Sequence, residues 1–377
     1  MRIETAAVAV VHVTAHTDWI FVSVGADGRH GIGEATLDGC EAHVVAEVAS
    51  LEAELVGRDV EPGDAALVPD PDARGGLASA AARSALDQAL WDLEGRRAGA
   101  PVAELLGGEP GAVGLYANIN RSLRSDRTAE AFAAAARSAC RDGFTAVKIA
   151  PFDGVRPEPA DSAAGARAID RGVERVRAVR EAIGPDRDLM IDCHGRFDVP
   201  SALRMIERIE DVDPAWIESP VPDRRLDQWQ AVRDSTESPL AGGEFIVGEY
   251  ESRSFLEASG VDVFMSDVKY CGGVSSLAAM ANLAAEHGAV LSPHCPSGPI
   301  GLAASAHVAA ATTNMPVVEY GWGEAEWRPN LTTPTEPVIG GAYLIGNEPG
   351  LGLRLDHCVA ARHRVGIDEL LPREHDA

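Results

Sequence analysis

At 377 residues the chain is long enough to bury one large core or two smaller ones. Its 58 acidic against 33 basic side chains give a formal charge of −25, which argues against partners with a polyanionic surface, nucleic acid and anionic membrane alike. There is no apolar run of the roughly 18 residues a membrane span needs. "MRIETAAVAVVHV" lacks the basic stretch, apolar run and cleavage site of a secretory leader. The six cysteines (Cys40, Cys140, Cys193, Cys271, Cys295 and Cys358) show no zinc-type spacing. A cytoplasmic protein with reduced thiols is expected.

Residues 2–37 alternate as strands do, in "AAVAVVHV" and "DWIFVSVG", and close on "GRHGIGEAT". Helical periodicity follows in "CEAHVVAEVASLEAEL" and in "LASAAARSALDQALWDLEGRRAG". In the second, Ser79 is read as the N-cap, and Leu86, Ala89, Leu90 and Leu93 as the apolar stripe. Strands followed by helices give an α+β domain over residues 1–112. From about residue 113, short apolar strands alternate with helices, with strands expected at 146–150, 188–192, 215–219, 239–244, 261–267, 289–294 and 316–321. That is a run of βα units on a parallel sheet, placed at residues 113–330.

Each expected strand ends on a polar residue: Lys148, Asp192, Glu218, Glu244, Asp267, His294 and Glu319. From Asp192 the steps are 26, 26, 23, 27 and 25 residues, one βα unit each. A (β/α) barrel converges such positions on one cavity at its C-terminal face. An open doubly wound sheet would not, and no GxGxxG follows a first strand. Three carboxylates brought together ionise only around a cation. Oxygen donors from Asp192, Glu218 and Glu244 suit Mg²⁺, with Mn²⁺ as a substitute, and disfavour zinc.

The motifs "DCHGRF", "WIESP", "AGGE", "SDVKYCGGV" and "SPHCPSGPIG" resemble the mandelate racemase branch of the enolase superfamily. "GIGEA" and "ARSALDQALWDLEGRRAGAPVAELLGG" resemble its capping domain, and "PGLGLRLD" its C-terminal return, here residues 331–377. The resemblance runs through nearly the whole chain in order. It implies a modified TIM barrel, (β/α)₇β, under an α+β cap, with Mg²⁺ at Asp192, Glu218 and Glu244. It also implies removal of the proton next to a substrate carboxylate, by a Lys or His base, with the enediolate stabilised by Mg²⁺ and Lys148.

The resemblance pairs His294, as base, with Asp267. The next inward position after Lys148 is Ala150, where many relatives carry a second lysine. Alanine takes no proton, so two-base racemisation is disfavoured. Histidine at 194, where the superfamily usually has asparagine, resembles the galactonate-dehydratase type and implies a general acid for a departing β-hydroxyl. Glu319 matches an acidic residue near the substrate carboxylate, either donating a hydrogen bond or orienting a neighbour. Ser219 replaces the second glutamate of the common "EEP" run and is expected to face away from the metal.

The reading is a Mg²⁺-dependent dehydratase of a sugar acid, galactonate-like, giving a 2-keto-3-deoxy acid. Its alternatives are a dehydratase of a hydroxylated amino acid such as hydroxyproline, a one-base epimerase, and a non-catalytic metal-binding barrel. A hydrolase barrel would bring an HxH pair, which no strand end carries. Lys148, Glu319, His16 and Trp19 are the expected substrate contacts. "TLDGCEAH" is a second candidate loop, and "PFDGVRPEPADSA" a candidate lip over the site. The expected partner is a small-molecule carboxylate, and the expected assembly a homo-oligomer.

Overall fold

Alternation over the first 37 residues resolves, in the computed structural model, into an antiparallel sheet of β1 (Ile3–Thr14), β2 (Thr17–Ala26) and β3 (Arg29–Glu34). The structure describes residues 1–69, 76–156 and 163–366. The sheet packs on α1 (Glu41–Leu55) and α2 (Gly76–Ala98), with short α3 (Val102–Leu105) beyond. Leu86, Ala89, Leu90 and Leu93 are buried in this cap core, as periodicity requires. Ser79 is not the N-cap: it lies within α2, three residues past its start, and is buried. The alanine-rich run before the stripe extends the helix upstream, alanine being the best helix former.

The "GIG" of β3 is a packing device. A Cβ on Gly31 or Gly33 would stand 2.0 Å from the carbonyl oxygen of Ala89 or Ala85, so only glycine lets strand and helix backbones meet. The edge of β3 is then closed by side chains of α2. Gln88 accepts from the Glu34 amide (3.1 Å) and donates to its carbonyl (3.0 Å), and Asp92 accepts from the Ile32 amide (3.0 Å).

The barrel runs β4 (Ala112–Asn118), α4 (Ala129–Arg141), β5 (Ala146–Ile149), α5 (Ala163–Ile183), β6 (Asp188–Asp192), α6 (Val199–Glu207), β7 (Trp216–Glu218) and α7 (Leu226–Arg233). It continues β8 (Leu240–Gly242), α8 (Gly248–Ser259), β9 (Val263–Phe264), α9 (Gly273–Glu286), β10 (Val290–Leu291), α10 (Pro299–Ala310) and β11 (Val318–Gly321). Strands β4 to β10 pair in sequence order, all parallel, and β11 returns to pair parallel with β4. Each of the first seven strands is followed by a helix and the last is not: a (β/α)₇β barrel. The strands are shorter than their apolar runs suggest. Gly243, at φ +98°, ends regular pairing one residue before Glu244, and Asp267 and His294 lie three residues past β9 and β10.

After the barrel, β12 (Thr332–Thr333) pairs with β15 (Arg354–Leu355), and the hairpin of β13 (Val338–Ile339) and β14 (Ala342–Leu344) adds antiparallel to the start of β4. The chain then reaches the cap, through Leu351 to Asp92 (2.8 Å), and forms α11 (His357–Arg362), after which Val365 bonds Val10 (3.0 Å). No described helix is long and apolar enough to cross a membrane.

Cap and barrel are joined by carboxylates on helix N-termini. The free amides at a helix start carry partial positive charge and face the barrel mouth. Asp87 of α2 accepts from the Ser275 amide at the start of α9 (3.0 Å). Glu34 of β3 accepts from Gly298 (2.7 Å) and Gly301 (2.8 Å) at the start of α10, and from Thr36 (2.7 Å). Glu34→Ala, which orphans two buried amides, is expected to cost about 1–3 kcal/mol and Glu34→Gln less, read as a lower urea midpoint at unchanged m.

His307 of α10 ties the same seam from below. Its Nδ1 accepts from the Ala103 amide (3.0 Å), and the Leu351 backbone lies beside the ring. Burial pushes its pKa down to about 4 from 6.5, so the unfolded chain protonates first as pH falls. Stability is therefore lost between pH 6.5 and 4 and levels off below, by about 3 kcal/mol in all. Equilibrium unfolding of His307→Asn should show a flatter decline over that window.

Candidate active site

Side chains two apart on a strand share a face, and the barrel uses this in layers. Tyr116, Ala146, Met190, Trp216, Ala241 and Val263, from β4 to β9, fill an apolar floor. Two residues further up β4, β5, β6 and β7 stand Asn118, Lys148, Asp192 and Glu218, and Glu319 joins them on β11. Charge sits directly on the floor, at the C-terminal mouth.

Lys148 is fully buried among acids. Its Nζ lies 3.0 Å from Glu218, 2.8 Å from Glu319 and 3.9 Å from Asp192. Burial opposes its charge, but Glu218 and Glu319 outweigh burial and hold its pKa well above the lysine range. Burial likewise works to raise Glu319, yet Lys148 and His294 hold it below its ordinary value. Glu319 is therefore ionised here and accepts three bonds: from Lys148, from Asn118 Nδ2 (2.7 Å) and from the Cys295 amide (2.8 Å).

Asp192 and Glu218 face each other across β6 and β7, and Glu244 follows β8. Among the described residues no three His, Cys, Asp or Glu side chains form a ready-made metal cage. Asp192 is turned onto His194 (3.0 Å), Glu218 onto Lys148, and Glu244 onto His294 (3.2 Å). The donor set nonetheless fits a hard divalent cation: three carboxylates, all oxygen, from three successive strands. Burial, then repulsion from Asp192, pushes Glu218 and Glu244 well above the carboxylate range. Lys148 alone does not balance this much negative charge.

His294 donates from Nδ1 to Asp267 Oδ2 at 2.8 Å. Burial lowers its pKa in spite of Asp267 and Glu319, so the ring is neutral near pH 7. Asp267 is held below its ordinary value against burial, by Lys269 and then His294. Lys269, in "SDVKY", was not singled out from sequence, although two residues after an aspartate is the spacing of a local side-chain clamp.

His194 sits in the left-handed region at φ +51°, its amide on Asp192 Oδ1 (2.9 Å), its ring 45% exposed at the mouth. Ser219 is also left-handed, at φ +40°. It donates to Asp223 (2.9 Å), whose other oxygen takes the Gly243 amide (2.9 Å). Ser219 thus braces the turn that carries Glu244. Burial pushes Asp223 up to about 6.

The cap corrects one expectation. Trp19 is 0% exposed, wedged against Trp327 (5.6 Å between rings) and the Arg328 guanidinium. It is part of the cap–barrel seam, not of an open loop. His16 is exposed on the β1–β2 turn, and its recorded contact is local, its amide on Thr14 (3.2 Å). Within "TLDGCEAH", Asp38 does reach the mouth. Arg121, three residues past Asn118, bonds Thr17 (2.7 Å), Asp38 (3.1 Å) and Glu324 (3.4 Å), tying both cap loops to two barrel loops. Nothing in the sequence flags Arg121, since its partners lie far apart in the chain. Phe245, 43% exposed, stacks on Tyr270 beside His294. The proposed lip, "PFDGVRPEPADSA", lies partly outside the described residues. A cavity of about 1120 Å³ lies elsewhere, behind the cap sheet near Phe21 and Arg354, and none of the converging residues lines it.

Comparison with known proteins gives two family matches: "Mandelate racemase / muconate lactonizing enzyme, N-terminal domain" over residues 3–107 and "Enolase C-terminal domain-like" over residues 131–359. Among curated proteins, the D-galactonate dehydratase of Ralstonia nicotianae is 30% identical, over 93% of this chain and 92% of that protein. The D-galactonate dehydratase of Verminephrobacter eiseniae is 32% identical, over 90% of each. Among solved structures, a mandelate racemase/muconate lactonizing enzyme-like protein from Rubrobacter xylanophilus superposes with a TM-score of 0.88 at 32% identity. It covers 97% of this chain and 98% of that one.

Arg121→Met removes the tie between cap loops and barrel mouth but touches no core. Faster amide hydrogen exchange is expected in residues 15–19 and 36–40, with the strands of the barrel unchanged.

Proposed function

Because the chain belongs to the mandelate racemase and muconate lactonizing enzyme family of the enolase superfamily, we propose that it is a Mg²⁺-dependent hydro-lyase acting on a sugar acid of the aldonate, galactonate-like kind. One observation carries the reading. His194 follows β6 and His294 follows β10, four strands apart in a barrel of eight parallel strands. The two imidazoles therefore rise from opposite walls of one mouth, with Lys148 and the carboxylates between them. The names of the curated relatives, D-galactonate dehydratase, support the substrate class.

Asp192, Glu218 and Glu244 would hold the cation, which when bound supplies Lewis acidity to the substrate carboxylate. Lys148, kept protonated by Glu218 and Glu319, offers a second positive group to charge developing on that carboxylate. His294 has Nδ1 committed to Asp267, so Nε2 receives the α-proton. The neutral ring that burial enforces is the form a base needs. His194, exposed at the mouth, gives a proton to the departing β-hydroxyl. The bond to that oxygen breaks as the α–β double bond forms, and the enol product tautomerises to a 2-keto-3-deoxy acid. Ala150, buried next to Lys148, leaves that strand without the second base that two-base racemisation needs.

The test is incubation with Mg²⁺ and D-galactonate, alongside a panel of aldonic and aldaric acids, in D₂O. Keto-deoxy product is expected from one or a few aldonates. His294→Asn should lose both α-exchange and dehydration, and His194→Asn should lose dehydration while retaining exchange, each by roughly 10²- to 10⁴-fold. Dehydration that survives in His294→Asn would overturn the assignment.

A further inference from the structure

The group behind the base is more elaborate than an aspartate–histidine pair. Asp267 has both oxygens held by one residue. Oδ1 accepts the Lys269 amide at 2.7 Å, and Oδ2 accepts Lys269 Nζ at 2.6 Å as well as His294 Nδ1 at 2.8 Å. We propose that Lys269 is a positioning residue for the base: it clamps Asp267 so that Oδ2 is presented to Nδ1 of His294, which fixes the tautomer and leaves Nε2 as the proton acceptor. The proposal rests on the dehydratase reading only in naming His294 as the base.

Three observations carry it. The first is cost. Lys269 is 2% exposed, and a buried ammonium is destabilising unless its partner compensates, whereas an apolar side chain of similar length would fill the same space more cheaply. A residue needed only for packing would not be a lysine. The second is placement. The turn after β9 closes through the Tyr270 and Cys271 amides on the Asp267 carbonyl (both 2.9 Å). Lys269 is therefore folded back over the carboxylate by the backbone itself, and both of its donors reach Asp267.

The third is the bed beneath the ammonium. Its charge lies 4.7 Å from the centre of the Tyr270 ring, and the Tyr270 hydroxyl donates to the Thr36 carbonyl of the cap at 3.1 Å. Cap loop, tyrosine, lysine, aspartate and histidine form one continuous contact chain. How the cap is seated thus bears on where the base points. An aspartate with a free carboxylate can rotate, and the imidazole it serves can then exchange tautomers. Clamped at both oxygens, it cannot rotate without breaking an ion pair in a low-dielectric site.

The test uses the full chain labelled with ¹⁵N-histidine, at fixed pH and without substrate. The ring signals of His294 are those missing from His294→Asn. The intact protein should show one protonated Nδ1, shifted downfield and slow to exchange, and an unprotonated Nε2. Lys269→Met should broaden or abolish the Nδ1–H signal by letting tautomers interconvert, and Lys269→Arg should restore it. Should the methionine variant not fold, Lys269→Gln, which keeps a donor but no charge, is read in the same way. An unchanged ring spectrum in the uncharged variant overturns the proposal. With D-galactonate and Mg²⁺, Lys269→Met should lower kcat by roughly 10- to 100-fold with KM little changed, the range usual for residues that orient a functional group. If the intact protein does not turn over D-galactonate, it is the substrate reading that has failed, and the ring spectrum still decides the role of Lys269.

Discussion

One buried ammonium ringed by carboxylates sets the terms for the rest of this molecule. Lys148 touches Glu218 and Glu319 and lies near Asp192, while Glu244 stands past the next strand. Charges in such a place are costly unless they are balanced. The barrel meets that cost with a rigid parallel scaffold, an apolar floor that fixes strand register, and partners for every carboxylate. Negative charge exceeds positive here, and the shared face of alternate residues places that charge at the mouth.

Covering such a mouth needs a lid that stays put, and the cap is held by the same physics. Asp87 and Glu34 bring carboxylates to the starts of α9 and α10, where helix amides await acceptors. Gln88 and Asp92 close the edge of β3 as a neighbouring strand would. The cap thus docks by saturating backbone groups of the barrel. Tyr270 and Arg121 add side-chain ties around the rim, so that the substrate-facing loops are positioned by the barrel loops they cover.

Much of this could be read from residues alone. The regular spacing of Asp192, Glu218 and Glu244 implied one functional group per βα unit, and motif order implied the cap. What escaped were features that depend on distant pairing or local backbone. Trp19 reads as a substrate contact beside a polar turn, yet that turn is short and β2 carries the indole into the seam. Ser79 looked like a cap because serine often is one, but alanines extended the helix past it. Arg121 and Lys269 are unremarkable as letters, and only folding brings Arg121 to Asp38 and Glu324, or turns Lys269 back on its neighbour. The strands also proved shorter than their apolar runs, because glycines and Asp-centred turns end the pairing before the chemistry begins.

His194 occupies a left-handed backbone position, which few side chains tolerate without strain. Histidine and asparagine are among those that do, and asparagine is the residue the wider superfamily usually places there. An exchange between the two therefore leaves the turn after β6 at rest. The imidazole can be added to this mouth, or taken away, without straining the backbone that carries Asp192. In evolutionary terms the position behaves as a socket: its shape is set by the backbone, and the side chain it accepts sets what chemistry the mouth carries there. Few routes between reaction classes ask so little of the surrounding fold.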